Sequence, residues 1–124
     1  MRKDWRIIIM NEFFEYKFLA MEFYYKYVCE ENFTYLQAGE RCLVDFTLIL
    51  SENTIKSLAI YSTVLVQIAR YAKENIKEVK KLFENEYEKL IEIYNSLPLD
   101  DILSENEREY LNDDIDFIKY KFKK

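Results

Sequence analysis

The sequence lacks several residue types on which common enzyme active sites depend. It contains no histidine, one glycine (Gly39) and one proline (Pro98) in 124 residues. Without histidine, the chain cannot form Ser-His or Cys-His nucleophile pairs, an HExxH zinc site or the Glu-x-x-His ligands of di-iron bundles. A single glycine also excludes a glycine-rich phosphate loop. No pair of carboxylates stands out as an acid and base, so we expect no enzymatic activity, no metal and no cofactor.

Cysteine is scarce as well, and Cys29 and Cys42 do not form a CxxC motif. Both fall within apolar helical patterns, where a reduced thiol behaves as a small hydrophobic side chain. If the chain turns at residues 32–34, the two cysteines are offset by roughly 8 Å along the helix axes and about 8–10 Å laterally. A disulfide requires Cα atoms within about 7 Å. We therefore predict two structural thiols rather than a redox switch.

The scarcity of glycine and proline leaves little material for hairpin turns and favours long helices with short polar connections. Half of the residues are hydrophobic, and a chain of this length buries about two thirds of its unfolded surface. The sequence thus predicts an all-α, single-domain bundle that spans residues 1–124 and contains about five helices.

The stretch at residues 54–72, TIKSLAIYSTVLVQIARYA, is predicted to be the buried central helix. Its apolar residues occur on all sides of a helix, which is typical of a helix with no solvent-exposed face. Only thirteen uncharged residues separate Lys56 from Arg70, too few for a membrane span. The chain also opens without a secretory signal pattern. We expect a cytoplasmic protein that does not insert into membranes.

Hydrophobic periodicity predicts four further helices, at about residues 4–31, 34–50, 76–97 and 104–122. Capping boxes are predicted for Thr34 with Gln37 and for Ser104 with Glu107. The segment 51–53 is expected to cap the central helix, residues 73–75 to form a turn, and Pro98 to end the fourth helix. Gly39 is expected to allow a close helix approach.

All four of these helices have predicted apolar faces, and the fourth helix of the chain has the clearest period, with Ile76, Val79, Leu82, Phe83, Tyr87, Leu90, Ile91 and Tyr94. The first carries two aromatic stripes, of which one suffices for a core and the other either packs within the bundle or binds a partner. The stripes are Trp5, Ile8, Ile9, Glu12, Tyr16, Leu19, Phe23 and Tyr27, and Phe14, Phe18, Met21, Tyr25 and Val28. Candidate core residues of the second helix are Leu36, Leu43, Phe46, Leu48, Ile49 and Leu50, and those of the last are Tyr110, Leu111, Ile115, Ile118 and Phe122.

Acidic residues exceed basic ones, 23 to 18, for a net charge of −5, which disfavours nucleic acid and favours a basic partner. Residues 100–116 contain eight acidic side chains and one basic one. Asp113, Asp114 and Asp116 lack the glycine and distal glutamate of an EF-hand. They also lie beyond the first helical turn, where the helix dipole favours acids. The segment is therefore either a solvated face or a docking surface.

On the docking interpretation, the last helix and the loop before it form the partner-binding surface. The candidate binding residues are Tyr94, Asp100, Asp101, Glu109, Tyr110, Asp113, Asp114 and Asp116. Reversing the charges of Asp113, Asp114 and Asp116 is expected to weaken binding and leave folding intact. If that surface is not used, the aromatic stripe of the first helix is the other candidate.

Several short motifs, spread over about residues 5–92, occur in an order that resembles a small helical immunity-protein family of bacterial polymorphic toxin and contact-dependent inhibition systems. That family has an aromatic first helix, a Ser/Thr-Tyr-x-x-Ala opening of the second, an apolar third and a Glu-Val-Lys start of the fourth. Here these motifs correspond to residues 34–38, 58–71 and 78–80. Tyr71 stands where the family has a tryptophan, and residues after Leu97 have no counterpart.

The resemblance implies a protein that binds and neutralises a cognate toxin, and it carries over no individual binding residues. The alternative is a non-enzymatic helical regulator or adaptor. Such a regulator could bind its ligand in an apolar pocket, which an aromatic helical bundle can contain. The identity of the toxin, the source organism and homodimer formation are left open by the sequence.

Overall fold

A computed structural model describes residues 12–73 and 76–123, with side chains as far as Lys121. These residues form seven helices and no strand, which confirms the predicted all-α, single-domain bundle. The helices are α1 (Glu12–Cys29), α2 (Tyr35–Asp45), α3 (Thr47–Leu50), α4 (Ile55–Tyr71), α5 (Ile76–Ser96), α6 (Leu99–Ile102) and α7 (Glu105–Lys123). The five long helices match the five expected, and α3 and α6 are short additions of four residues each.

Helix α4 is the buried centre of the bundle, as predicted. Every residue from Ser57 to Ala69 is buried, and α4 packs against α1, α2, α3, α5 and α7. Two of its polar side chains obtain partners inside the fold, since the Ser57 hydroxyl donates to the Ile49 carbonyl at 2.7 Å and the Ser62 hydroxyl to the Ala59 carbonyl at 3.2 Å. The buried Thr63 hydroxyl has no hydrogen-bond partner among the described residues. Thr54 is the N-cap and accepts from the Ser57 amide. The expectation that residues 51–53 provide this cap is therefore wrong by one residue.

Helix α1 uses a buried face that lies between the two predicted stripes. The four buried side chains are Phe13, Ala20, Tyr24 and Tyr27, which repeat at the three- and four-residue spacing of one helical face. In the first stripe, the described residues are half-buried except Tyr27, which is buried. In the second stripe, Phe18 is 61% exposed and Tyr25 is 37% exposed. The first eleven residues, including Trp5, Ile8 and Ile9 of the first stripe, lie outside the described residues.

The connection between α1 and α2 is short and is followed by the predicted capping box. Asn32 adopts a φ of 57°, a conformation that asparagine tolerates better than most residues. The Thr34 side chain accepts from the Gln37 amide, and the Gln37 side chain accepts from the Thr34 amide. Gly39 lies so close to α4 that a Cβ atom there would overlap the Ile68 side chain. The predicted close approach is confirmed.

Helix α2 ends earlier than expected, at Asp45. Phe46 is buried, and its ring centroid lies 5.0 Å from that of Phe23. The chain then continues as α3, on which Leu48 is 86% exposed. The assignment of Leu48 to the core is therefore wrong, because Leu48 follows the buried Phe46 by two residues, which is about 200° around a helix and places it on the opposite side.

The second half of the chain follows the prediction closely. Helix α4 ends at Tyr71, Ala72 is extended, and α5 begins at Ile76, which confirms two separate helices. Residues 74 and 75 of the predicted turn lie outside the described residues. Helix α5 ends two residues before Pro98, and Ser104 and Glu107 form the second capping box.

Helix α7 buries three of its five predicted core residues, Leu111, Ile115 and Ile118. The inward assignment of Tyr110 is wrong, since this residue is 49% exposed. The side chain of Phe122 lies outside the described side chains.

Candidate protein-binding site

A cleft of about 380 Å³ opens where the end of α5, helix α6 and the first half of α7 meet. Helices α5 and α7 are held together here by the Tyr94 hydroxyl, which donates to the Asn112 side-chain oxygen at 2.8 Å. Pro98 and α6 turn the chain between them. We call this feature the acidic cleft, and the residues that line it are Tyr94, Leu99, Asp100, Glu105, Arg108, Glu109, Leu111, Asn112 and Asp113.

The charges of the acidic cleft are unbalanced. Four of its lining residues are acidic and one, Arg108, is basic. The guanidinium of Arg108 pairs with the carboxylate of Asp100, which is itself 89% exposed. Glu105, Glu109 and Asp113 are exposed, and none of them forms an ion pair with another described residue. Three uncompensated carboxylates therefore face the same opening and create a local negative potential.

Four of the eight predicted binding residues line the acidic cleft, namely Tyr94, Asp100, Glu109 and Asp113. Two others, Asp101 and Asp116, are exposed. The proximity of Asp116 to α5 is visible in Tyr87, whose pKa is raised by burial and by the charge of Asp116. These two residues extend the negative surface beyond the cleft.

Asp114 does not belong to the exposed acidic surface. Its carboxylate lies 2.6 Å from the ammonium nitrogen of Lys17 on α1, and the two side chains are only 16% and 14% exposed. The assignment of Asp114 to an exposed face is therefore wrong, and the effect of its replacement by lysine on folding stays a prediction. The two nearest acidic residues in the sequence, Asp113 and Asp116, are exposed.

Glu107 also leaves the acidic surface, because its side chain is buried in the capping box. The eight acidic residues of the segment thus comprise two structural ones and six exposed ones. Sequence reasoning did not single out Glu105, Arg108 and Asn112 as site residues. Their spacing with Glu109 follows one face of α7, a signal that was present in the sequence.

Aromatic side chains border the acidic surface on the side towards α1. Tyr110 packs edge-on against Phe14 with ring centroids 5.4 Å apart, and Phe14 stacks on the exposed Phe18. Successive residues of a helix are rotated by about 100°, so Asp113 lies about 40° from Glu109 and about 60° from Tyr110 around α7. Asp113 thus stands between the acidic cleft and an aromatic surface formed by Phe14, Phe18 and Tyr110.

Neither a buried thiolate nor a metal cluster is found near the acidic cleft among the described residues. Burial raises the pKa of the Cys42 thiol to about 12, with a smaller contribution from the charge of Asp45, so the reactive thiolate is scarce at neutral pH. Within the same residues, no three His, Cys, Asp or Glu side chains converge as metal ligands would. What the arrangement offers is a shaped, negatively charged surface with aromatic contacts.

Comparisons of the chain with protein-family models, with curated proteins and with solved structures find no match. Among the helices described, none has both the length and the apolar character that crossing a membrane requires.

Proposed function

We propose that this protein is a non-enzymatic binding protein that captures a basic partner protein on its acidic cleft and the adjoining aromatic surface. The observation that carries the proposal is the convergence of Glu105, Glu109 and Asp113 on one opening. Arg108, the one cation among the described lining residues, is paired with Asp100. A lysine or arginine side chain of a partner would supply the missing charge.

The surroundings of the acidic cleft suit recognition of a protein. Tyr94 and Tyr110 offer rigid apolar area together with a hydroxyl, a combination enriched at the centres of protein interfaces. Clustered carboxylates accelerate the encounter with a basic partner and disfavour acidic competitors. Helices α5 and α7 hold these groups on fixed backbone, so little ordering is required on binding.

The specific partner in this proposal is a cognate bacterial toxin, and the protein acts as its immunity protein in the cytoplasm. This part rests on the resemblance of residues 5–92 to toxin-immunity proteins. All of the residues that line the acidic cleft lie beyond that region, which suits a surface that varies with the toxin. A non-enzymatic regulator with an apolar ligand pocket is the second candidate. It is favoured by a groove where α4, α5 and α7 meet, whose apolar lining includes Ala69, Val79 and Phe83.

The proposal predicts that a neighbouring gene encodes a secreted protein that ends in a toxin domain, and co-expression with that toxin domain tests it. We expect the wild-type protein to restore growth of a bacterial host, and the E109K/D113K/D116K variant to lose that protection. The matched control is E84K/E88K/E92K, which makes the same charge change on exposed residues of α5. Failure of the wild type to protect contradicts the immunity function. Equal protection by both variants contradicts the acidic cleft as the site.

A further inference from the structure

A second concave feature, which we call the lysine groove, lies where the end of α4, the start of α5 and the end of α7 meet. Its volume is about 570 Å³, within the range of about 300–1,000 Å³ typical of small-molecule sites. The residues that line it are Ala69, Ala72, Lys73, Ile76, Val79, Lys80, Phe83 and Lys121.

The floor of the lysine groove is apolar. Phe83 and Ala69 are buried beneath it, and Val79 is half-buried. The two alanines leave room because their side chains end at Cβ, and the extended backbone of Ala72 separates α4 from α5. All of the lining residues other than the lysines are hydrophobic, so a ligand would bury apolar surface here rather than receive a set of directed hydrogen bonds.

The rim of the lysine groove is cationic in a chain that is acidic overall. Among the described residues, three lysines line it and no acidic residue does. Nearby, Arg70 and Lys121 both approach the ring of Phe117, at 5.4 and 6.0 Å from its centroid. Residues 117–124 contain four lysines and no acid. The positive charge therefore comes from α4, α5 and α7 together.

We propose that the lysine groove binds a single-chain amphipathic anion of the fatty-acid class, with the alkyl chain on the apolar floor and the carboxylate at Lys80 and Lys121. An apolar floor alone would bind any hydrophobic molecule, and lysines alone would attract any anion. Their combination selects a ligand that has both parts, because burial of the chain and pairing of the carboxylate then contribute together. This site is separate from the acidic cleft and goes beyond the proposed function.

Decanoate titrated into the intact protein, followed by calorimetry and by NMR shifts of Val79 and Phe83, tests this proposal. Decylammonium has the same chain length and the opposite charge, and decanol is uncharged. We expect decanoate to bind more tightly than either by about tenfold or more, which corresponds to about 1.4 kcal/mol. Equal binding of decylammonium, or no binding of decanoate, would overturn the proposal.

Two double variants localise the site. K80E/K121E is expected to weaken decanoate binding by about tenfold or more, whereas K77E/K119E, which changes exposed lysines that do not line the groove, leaves it nearly unchanged. Ala72→Trp should fill the apolar floor and so prevent decanoate from binding. Circular dichroism establishes that each variant folds. Association with anionic vesicles in the absence of decanoate binding would identify a membrane-contact surface and overturn the proposal.

Discussion

At the scale of single residues, burial divides side chains that look alike in the sequence. Cys29 and Cys42 both occupy helical positions, yet Cys29 is exposed and Cys42 is buried. The expectation of a buried thiol holds for Cys42 alone, because Cys29 is the last residue of α1. No disulfide joins the two.

We predict that a thiol reagent modifies one cysteine rapidly in the folded protein and both after unfolding. Cys29 is accessible to the reagent, whereas Cys42 is shielded and its pKa is raised to about 12 by burial. Ellman's reagent with and without denaturant measures this difference, and Cys29→Ser should abolish the fast reaction. Rapid modification of both thiols in the folded protein would show that Cys42 is not enclosed.

The pair formed by Lys17 and Asp114 gives a second test at the same scale. Asp114→Lys places two ammonium groups together in a poorly solvated position, and we expect a loss of about 1.5–3 kcal/mol of stability. The exchange variant K17D/D114K should recover much of this loss, because it restores opposite charges. Urea unfolding measures both variants. No loss for Asp114→Lys, or no recovery on exchange, would mean that the pair contributes nothing to the fold.

At the scale of secondary-structure elements, the close approach of α2 to α4 depends on the only glycine in the chain. Gly39→Ala is expected to destabilise the protein by about 1–3 kcal/mol, because the new methyl group overlaps Ile68. Alanine otherwise favours helix over glycine by about 1 kcal/mol, so a net loss identifies the contact as the cause.

The background variant Ile68→Ala provides the control for this prediction. Alanine lacks both of the side-chain atoms, Cδ1 and Cγ1, that lie closest to position 39, so Gly39→Ala should cost less in the alanine background. A double-mutant cycle by urea unfolding measures the difference. Equal costs in both backgrounds would show that the two helices separate freely at this point.

The elements that sequence reasoning predicted correctly depend on local patterns. The two capping boxes and the uncharged centre of α4 are encoded by residues a few positions apart. The break at Phe46 is not, because neither glycine nor proline marks it. It coincides with contacts between distant segments, in which Phe46 meets Phe23 and the Tyr27 hydroxyl donates to Asp45. Such contacts become visible only once α1 and α2 are placed together.

The candidate site was predictable to a similar extent. The density of acids in residues 100–116 located the region, and four of the eight chosen residues line the acidic cleft. The exposure of an individual acid was harder to predict. Asp114 is paired with a lysine that lies 97 positions earlier in the chain, and nothing near Asp114 in sequence marks that partner.

At the scale of the whole molecule, the bundle carries its charge unevenly. Helices α5 and α7 run in opposite directions, so the acidic cleft contains the end of α5 and the lysine groove contains its start. A basic partner would therefore meet the protein in a preferred orientation, since the field attracts it at one end and repels it at the other.

The buried thiol of Cys42 and the buried hydroxyl of Tyr61 make the stability of the fold depend on pH in the alkaline range. Burial raises the pKa of Cys42 from 9.0 and of Tyr61 from 10.0, each to about 12, and the charge of Glu86 adds to the shift of Tyr61. Above the unfolded pKa values, deprotonation favours the unfolded chain. The contribution of these two groups to stability should thus be fully present below pH 9 and be lost as pH rises towards 12.

Urea unfolding as a function of pH measures this decline, and Cys42→Ala should remove the part that begins at pH 9. A stability that rises between pH 9 and pH 12 would contradict the enclosed state of both groups.

The central claim is that the acidic cleft draws in a basic partner, and association kinetics with the neighbouring gene's toxin domain test it most directly. Stopped-flow mixing compares wild type, E109K/D113K/D116K and the matched control E84K/E88K/E92K over a range of salt concentrations. We predict that the cleft variant associates about tenfold or more slowly at low salt and loses most of its salt dependence. The control should stay close to wild type. Equal association rates for the two variants would contradict the account.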